Sequence, residues 1–157
     1  MSGEGTRVDR QKLLEIGGSC FGRAVRRTAN LLTRTYNAFL APVGIEVTQF
    51  SILCTIASAQ AGSASELAEM VGVERSTLAR NLDRLTAAGL VRAEAGEGRR
   101  VIHSLTAAGE ERIAAALPLW QQAQDALQAQ LKREQSDMIR EDFRSLRRAA
   151  RAVRPAA

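Results

Sequence analysis

A chain of 157 residues is long enough for one domain with a hydrophobic core, and it is too short for two independent catalytic domains. Hydrophobic residues make up 45% of the chain, which excludes wholesale disorder, while the low aromatic share of 4% favours helices over a β-sandwich. The formal net charge of +5 suits an acidic partner, but it does not choose between nucleic acid and a membrane surface.

The membrane and cofactor classes find little support in the sequence. No apolar run is long enough to cross a bilayer, and residues 1–10 lack the apolar core of a signal peptide, so we expect a cytoplasmic protein. Cys20 and Cys54 lie far apart and the chain has a single His, which argues against a disulfide framework and against a zinc site. We therefore expect two reduced thiols and no cofactor.

The first elements in chain order are a tail and two helices. Residues 1–12 are polar and without periodicity, so they predict a flexible tail, with structure beginning near Leu13. Residues 20–41 carry an apolar stripe of helical period that ends at Pro42. Residues 48–58 predict a second helix, for which Thr48 is a possible N-cap.

Two short helices around a turn follow. Residues 66–71 have helical periodicity, and Gly72 stands where a helix C-cap would. In the next helix Leu78, Leu82 and Leu85 fall at i, i+4 and i+7 and so share one face. We predict that a polar face lies away from the leucines and that it holds Ser76, Thr77, Arg80, Asn81 and Arg84.

These polar residue types suit the reading of a DNA groove. Arg donates a bidentate pair to guanine, Asn pairs with adenine, and Ser or Thr bonds to base edges and phosphates. The alternative is an ordinary solvated helix face. The spacing of the two helices around Gly72 is that of a helix-turn-helix and favours DNA contact.

A β-hairpin is predicted next, with strands at 90–95 and 100–105. Gly96 and Gly98 permit a tight reversal, and Arg99 and Arg100 place positive charge at or beside its tip, where it could meet a minor groove or phosphates. The alternative is an ordinary exposed turn, but a basic wing fits better directly after a helix-turn-helix.

Two further helices close the chain. Thr106 could cap a long helix whose apolar stripe is interrupted at Gln124, and Pro118 should kink this helix rather than end it. A last helix has apolar residues at the same spacing, at Ile139, Phe143, Leu146, Ala150 and Val153. With the first helix, these stripes exceed what one small winged domain can cover, which predicts a homodimer; a self-contained antiparallel pair is the alternative.

Four stretches carry a resemblance to the multiple antibiotic resistance regulator (MarR) family over residues 20–131, namely LAPVGIEVTQFSIL, ELAEMVGVERSTLARNLDRLTAAGLV, GRRVIHSLTAAGEE and ALPLWQQAQ. The resemblance implies one domain at 13–157 that is mainly α-helical with a small β-hairpin wing. Within it, 46–106 would form the winged helix-turn-helix, and 13–45 with 107–155 the helical dimerisation layer. Most members of this family are homodimeric repressors that bind pseudo-palindromic double-stranded operator DNA and are released by a ligand or an oxidant.

The resemblance also implies roles for individual residues. Ser76, Thr77 and Arg80 look like base-facing residues, and Asn81 and Arg84 like phosphate contacts. The remaining expected DNA-binding residues are Thr48, Arg75, Arg99, which corresponds to the wing arginine, and Arg100, which could substitute for it. The wing departs from the family pattern, because Glu97 stands where an Asp usually braces the arginine and Gly98 replaces a frequent basic residue.

In similar proteins an inducer pocket lies between the dimer layer and the winged region. Its candidates here are Arg23, Arg27, Tyr36, Cys54 and Trp120. Arg23 and Arg27 share a helix face with Arg34 that could neutralise an anionic aromatic ligand, although such arginines are more often solvated, and Tyr36 and Trp120 more often serve packing.

Cys20 offers a second kind of signal. Some members of the family sense peroxide through a cysteine at the start of the first helix, where the helix N-terminus and Arg23 would favour the thiolate. A buried, inert thiol is the alternative for Cys20, and a core position is expected for Cys54.

An enzyme is not expected, because no set of nucleophile and base and no cofactor motif is visible, and His103 stands alone on a strand as a surface or phosphate-side residue. The rival classes are a helical interaction module and an architectural DNA binder that contacts only phosphates.

Overall fold

A computed structural model describes residues 9–58, 63–96 and 101–153. Its elements, in chain order, are helix α1 (Arg10–Ser19), helix α2 (Phe21–Leu40), a 3-10 turn (Ala41–Val43), helix α3 (Val47–Ala57), helix α4 (Ala64–Val71), helix α5 (Arg75–Ala87), strand β1 (Val91–Ala95), strand β2 (Val101–Leu105), helix α6 (Ala107–Ala129) and helix α7 (Arg133–Ala152). The predicted class, mainly α with one β-hairpin, is confirmed.

The described residues form two compact units, one up to Thr35 and one from Tyr36 onward. The first contains α1 and most of α2. Helix α1 begins at Arg10, where the carboxylate of Asp9 accepts a hydrogen bond from the backbone N–H of Gln11 at 2.9 Å. The predicted tail boundary at residue 12 is therefore wrong by three residues, because Asp9 caps the helix; residues 1–8 lie outside the described ones.

The second unit begins inside α2, and its first turn leads to α3. Gly44 adopts a left-handed conformation, with φ at 67°, that reverses the chain after the 3-10 turn. Thr48 is not the N-cap that the sequence predicted. Helix α3 starts one residue earlier because Glu46 is the cap, and its backbone N–H donates to Oε1 of Gln49 at 2.9 Å.

The core of the second unit is apolar and continuous. Its largest fully buried side chains are Leu40, Ile52, Leu53, Leu78, Leu85 and Val91. The leucine stripe predicted on α5 is thus confirmed as the buried face of that helix. Burial of each such side chain contributes about 1.5 to 3 kcal/mol of transfer free energy, so the core holds α5 firmly against α4 and β1.

The hairpin is antiparallel, with Val91 opposite Leu105 and Ala95 opposite Val101. Each strand begins within one residue of its predicted start. The predicted tip residues Arg99 and Arg100 lie outside the described part of the chain, as do Glu97 and Gly98, so the basic wing stays a prediction.

The last two helices follow the predicted pattern. Thr106 caps α6, since its hydroxyl accepts the backbone N–H of Gly109 at 3.1 Å, and the helix continues through Pro118. Helix α7 contains no fully buried residue in this single chain. None of the helices in the described ranges is by itself long and apolar enough to cross a membrane, although one bent pair of helices passes that test together by length and composition.

Candidate nucleic-acid interface

The turn between α4 and α5 is built from local signals. The hydroxyl of Ser63 accepts the N–H of Glu66 at 3.2 Å and so caps the start of α4. Gly72 ends this helix in a left-handed conformation with φ at 77°, and the N–H of Val73 returns to the carbonyl of Ala68 at 3.0 Å. This closure confirms the predicted C-cap and turns the chain sharply into α5.

Helix α5 is amphipathic. The leucine stripe faces the core, and four of the predicted DNA-binding residues are exposed, namely Arg75, Ser76, Arg80 and Arg84. Thr77 is half-buried, and its hydroxyl accepts a 3.4 Å hydrogen bond from Nη2 of Arg80. This long bond connects two neighbouring side chains at the surface and leaves most of the guanidinium available to a partner.

The start of α5 combines an acidic N-cap, Glu74, with Arg75 as the first helical residue. The side chain of Glu74 makes no capping hydrogen bond, and no further acidic residue lies in the first turn. The first N–H groups of a helix lack partners within the helix, and the helix dipole favours anions at that end. The arrangement is chemically suited to a phosphate group.

Asn81 is not on the exposed face, so its prediction as a phosphate contact is wrong. The residue is only 8% exposed, because it lies between Leu78 and Leu85 on the buried stripe. Its Nδ2 donates to the carbonyl oxygen of Thr77 at 2.9 Å, whereas its buried Oδ1 accepts no hydrogen bond. Asn81 is therefore a polar core residue with one unsatisfied acceptor.

Thr48 is half-buried in the first turn of α3. DNA contact by Thr48 and by the exposed residues of α5 stays a prediction, as does contact by Arg99 and Arg100, which lie outside the described residues. The structure thus presents one continuous polar surface, on α5, rather than the full predicted set.

Three predicted ligand-pocket residues belong to the second unit and are half-buried. The hydroxyl of Tyr36 donates a hydrogen bond to Oε1 of Gln124. Burial raises the pKa of Tyr36, and the positive charge of Arg140 lowers it by a smaller amount. The ring of Trp120 packs on Phe50 with centroids 6.3 Å apart and planes tilted by 33°. Sequence reasoning missed Gln124 and Arg140 as neighbours of Tyr36, although the break in the apolar stripe at Gln124 was a visible signal.

Cys54 is half-buried rather than fully in the core, and burial raises the pKa of its thiol. A raised thiol pKa lowers the thiolate fraction, so Cys54 is the less reactive type of cysteine. Its placement against the core supports the packing role that the sequence predicted.

Arg23 and Arg27 lie exposed on α2 within the first unit. The Nη1 atom of Arg23 lies over Gly17, where an added Cβ would stand 3.2 Å away. A surface groove of about 620 Å³ is lined by Ala24, Arg27, Thr28, Asn30, Leu31 and Arg34. Two of the three arginines predicted to share a face therefore line one groove, and Arg23 does not.

Cys20 is exposed, so the buried alternative is wrong for this residue. Its carbonyl oxygen accepts the N–H of Ala24 at 3.1 Å, which begins the hydrogen bonding of α2, and its own N–H donates to Ile16 at 3.2 Å. The thiol thus stands at the start of α2, where the sequence predicted it.

A separate cavity of about 690 Å³ contains none of the predicted pocket residues. It is lined by Ile56, Ala57, Ser63, Ala64, Leu67, Val101, Ile102, His103, Ser104, Leu105, Glu110 and Ile113. His103 is half-buried rather than on the surface, because it borders this cavity, and burial lowers its pKa. The sequence could not reveal the cavity, since its walls come from four separate segments.

No group of three or more His, Cys, Asp or Glu residues that could hold a metal ion occurs within residues 9–58, 63–96 and 101–153.

The glycine turn, the half-exposed helix α5 and the hairpin define a winged helix-turn-helix. A family model described as the MarR family matches residues 45–100. The crystal structure of the M. tuberculosis transcriptional regulator MosR in complex with DNA is 38% identical to this chain, covers 87% of it and 100% of its own chain, and superposes with a TM-score of 0.78. A second crystal structure of MosR is 36% identical, covers 86% and 98% of the two chains, and also gives a TM-score of 0.78.

Among curated proteins, the multiple antibiotic resistance protein MarR of Escherichia coli is 32% identical over 90 residues, which is 56% of this chain. The matched segment spans 62% of that relative's length. The chain belongs to the MarR family, and the MosR structures that it resembles are those of a transcriptional regulator, one of them bound to DNA.

Proposed function

We propose that this protein is a sequence-specific DNA-binding transcriptional regulator in which α5 enters the major groove. The observation that carries the proposal is the exposed polar face of α5, with Arg75, Ser76, Arg80 and Arg84 opposite a buried leucine stripe. A relative that is 38% identical over its whole chain was crystallised with DNA, which supports DNA binding by this chain.

The exposed residues divide by position along α5. Arg80 lies one turn into the helix and is suited to a bidentate hydrogen bond with guanine, while Ser76 is suited to a base edge or a phosphate. Arg84 lies a further turn along, where phosphate contact supplies affinity without base preference. Arg75 adds positive charge at the helix start, next to the N-cap Glu74.

The test is selection of bound fragments from the source genome at fixed salt, followed by affinity measurements on the enriched sequence. We expect a pseudo-palindrome with half-sites one helical turn apart. Arg80→Ala should then cost about 1 to 3 kcal/mol of binding free energy and relax the preference at one base pair of each half-site.

Arg133→Ala is the matched control, because it removes the same charge from an exposed residue at the start of α7. It should leave both affinity and base preference nearly unchanged. Equal effects of the two substitutions, or uniform loss across sequences for Arg80→Ala, would make this an architectural binder that contacts only phosphates.

The regulator is proposed to act as a homodimer. Large apolar side chains are exposed along the terminal helices, and they include Leu13, Leu14, Ile16, Phe21, Leu31, Met138 and Ile139. Exposed apolar surface of this extent marks an interaction surface, and a second copy of the chain is the partner that would duplicate the DNA-reading helix.

Leu31→Glu tests the dimer, because Leu31 is 59% exposed on α2 and a charge there would oppose burial. Light scattering after size exclusion should give the mass of a dimer for the wild type and of a monomer for this variant. Thr33→Glu is the control, since Thr33 is exposed on another side of the same helix. A wild-type monomer at micromolar concentration would contradict the proposal.

We propose repression with release by a small anionic aromatic ligand as the form of regulation. The α2 groove that contains Arg27 and Arg34 supports this ligand class, since two guanidinium groups favour a carboxylate. Benzoate is a suitable probe. By linkage, operator DNA should weaken benzoate binding by the same factor that benzoate weakens DNA binding, and Arg27→Ala should reduce both effects. Equal benzoate affinity for free and DNA-bound protein would exclude this form of release.

Redox sensing through Cys20 is the second candidate, supported by the exposure of that thiol at the start of α2. Peroxide would oxidise the thiolate to a sulfenic acid. Loss of DNA binding under peroxide that persists in Cys54→Ser and disappears in Cys20→Ser would establish it; equal sensitivity of both variants would exclude it.

A further inference from the structure

Thr106, the N-cap of α6, is bonded directly to Gly89 and Leu90, the second and third residues beyond the end of α5. The hydroxyl of Thr106 donates to the carbonyl oxygen of Gly89 at 2.6 Å, and the N–H of Thr106 donates to the carbonyl oxygen of Leu90 at 3.1 Å. The same hydroxyl accepts the N–H of Gly109 at 3.1 Å. One side chain therefore caps α6 and fixes the exit of α5 at the same time.

Gly109 brings the two backbones together. It is buried, and a Cβ built on it would overlap the carbonyl oxygen of Leu90 and stand 3.2 Å from the carbonyl carbon. Glycine weakens a helix interior relative to alanine, and here the missing side chain allows backbone to meet backbone. The backbone of α6 contacts the backbone of Leu90 with no flexible side chain between them, so a displacement of α6 also displaces Leu90.

Gly89 and Leu90 are in turn fixed to α5. Gly89 takes a left-handed conformation with φ at 70°, and its N–H donates to Thr86 at 2.9 Å. The N–H of Leu90 donates to the carbonyl oxygen of Leu85 at 2.9 Å. These hydrogen bonds hold Gly89 and Leu90 against the C-terminal end of α5. The connection from α5 to Thr106 therefore consists of short hydrogen bonds to backbone carbonyl groups.

A second hydrogen bond holds the N-terminal end of α6. One turn beyond Gly109, Nη1 of the half-buried Arg112 donates to the carbonyl oxygen of Val43 at 2.8 Å, in the turn before α3. The first two turns of α6 thus hold two different segments of the second unit.

We propose that Thr106 and Gly109 form a positioning clamp that fixes the direction of α5 relative to α6. Helix α6 has 23 residues, or a length of about 35 Å, and its clamped end precedes Pro118, so a small rotation of that end is carried to the DNA-reading helix. The clamp sets which separation of operator half-sites the protein accepts. The second statement rests on the proposed function as a dimeric DNA reader; the first does not.

The first experiment measures the clamp without DNA. Nitroxide labels are attached through a non-canonical amino acid at Thr86 on α5 and Gln122 on α6, both exposed, and labelled chains are diluted with unlabelled ones so that one pair is measured. Thr106→Val removes the hydroxyl and should broaden or shift the distance distribution. Thr106→Ser keeps the hydroxyl and should restore the narrow distribution.

The matched control is Thr55→Val, which makes the same change at a hydroxyl whose bond among the described residues is to the carbonyl oxygen of Ser51 in its own helix. It should leave the distance unchanged. Gly109→Ala should broaden the distribution further or prevent folding; the test does not depend on it, because Thr106→Val adds no atom beside the backbone of Leu90.

The second experiment measures affinity for the selected operator and for versions with the half-sites moved apart or together by one base pair. The wild type, Thr106→Ser and Thr55→Val should prefer one separation. Thr106→Val should lose this preference, with the affinity ratio approaching one, while its affinity for an isolated half-site stays unchanged.

The outcomes separate the two proposals. An unchanged label distance in Thr106→Val overturns the clamp. A changed distance with an unchanged spacing preference overturns the statement that the clamp sets the separation of half-sites. If the wild type binds no specific DNA but the label distance broadens in Thr106→Val, the clamp stands and the proposed function fails.

Discussion

Helices α5 and α7 are both rich in arginine, yet their arginines are in different states. In α7 most of them pair with carboxylates, through the contacts Arg140–Asp137 at 3.2 Å, Arg144–Glu141 at 3.2 Å, Arg148–Glu141 at 3.2 Å and Arg151–Glu69 at 2.7 Å. Across the described residues, no carboxylate forms an ion pair with the three arginines of α5. The same residue type is thus neutralised in one helix and left available in the other.

The charged residues near the helix ends can also be compared between α5 and α7. Helix α7 has Glu134 in its first turn and Arg151 in its last, which complements the helix dipole. Helix α5 has Glu74 as its N-cap and Arg84 in its last turn, so only Arg75, at its first position, opposes the dipole. The clearer difference is that the arginines of α5 form no ion pair with a described carboxylate, so pairing discriminates better than net charge between a functional and a structural arginine.

Removing two arginines from each helix tests this difference most directly. Arg80→Ala combined with Arg84→Ala should cost about 2 to 4 kcal/mol of operator-binding free energy, because one base contact and one phosphate contact are lost. Arg144→Ala combined with Arg148→Ala removes equal charge and should cost less than about 0.5 kcal/mol. Fluorescence anisotropy over a range of salt concentrations measures both.

The salt dependence separates specific contact from general charge. The slope of log affinity against log salt should fall by about one for each phosphate contact removed, and therefore only in the α5 variant. Equal slopes in the two double variants would mean that pairing does not distinguish the helices.

A substitution on the buried side of α5 should affect the stability of the fold and not DNA binding, and it should increase that stability. Asn81→Leu should raise the free energy of unfolding by about 1 to 2 kcal/mol, because Oδ1 of Asn81 is buried without a hydrogen-bond donor. DNA affinity should not change. Asn30→Leu, at an exposed position, should alter stability by less than about 0.5 kcal/mol in the same urea titration. Weaker operator binding by Asn81→Leu would contradict this prediction and indicate that Asn81 contacts DNA.

Asn81 also shows where sequence reasoning succeeds and fails on this fold. Gly72 and Thr106 were predictable because capping depends on neighbours in sequence, and the leucine stripe because helical spacing alone defines it. Asn81 stands three residues after Leu78 and four before Leu85, which is stripe spacing, so its burial could have been predicted had the period been given more weight than polarity.

Contacts between distant segments were beyond the sequence. The hydrogen bond from Arg112 to Val43 and the one between Tyr36 and Gln124 depend on how helices pack, and no local pattern encodes them. The same holds for the cavity beside His103, whose walls come from separate segments. Local signals determined the elements and the exposed face of α5; packing determined which other polar residues meet.

The smallest expected effect lies in the ion pairs of α7. The hydrogen bond from Arg144 holds the pKa of Glu141 below its ordinary value of 4.5, and the charge of Arg148 adds to this. Arg144→Ala should therefore raise the pKa of Glu141, as read from its side-chain carboxyl resonance in an NMR titration. Arg147→Ala is the control, since Arg147 lies in the same helix and forms no ion pair with a described carboxylate. Because the folded-state pKa is lowered, the pair stabilises the fold above the ordinary carboxyl pKa, and this contribution is lost as the pH falls through the lowered value. A pKa of Glu141 that moves equally in both variants would show that general positive charge, and not pairing, sets it, and pairing would then not distinguish the arginines of α7 from those of α5.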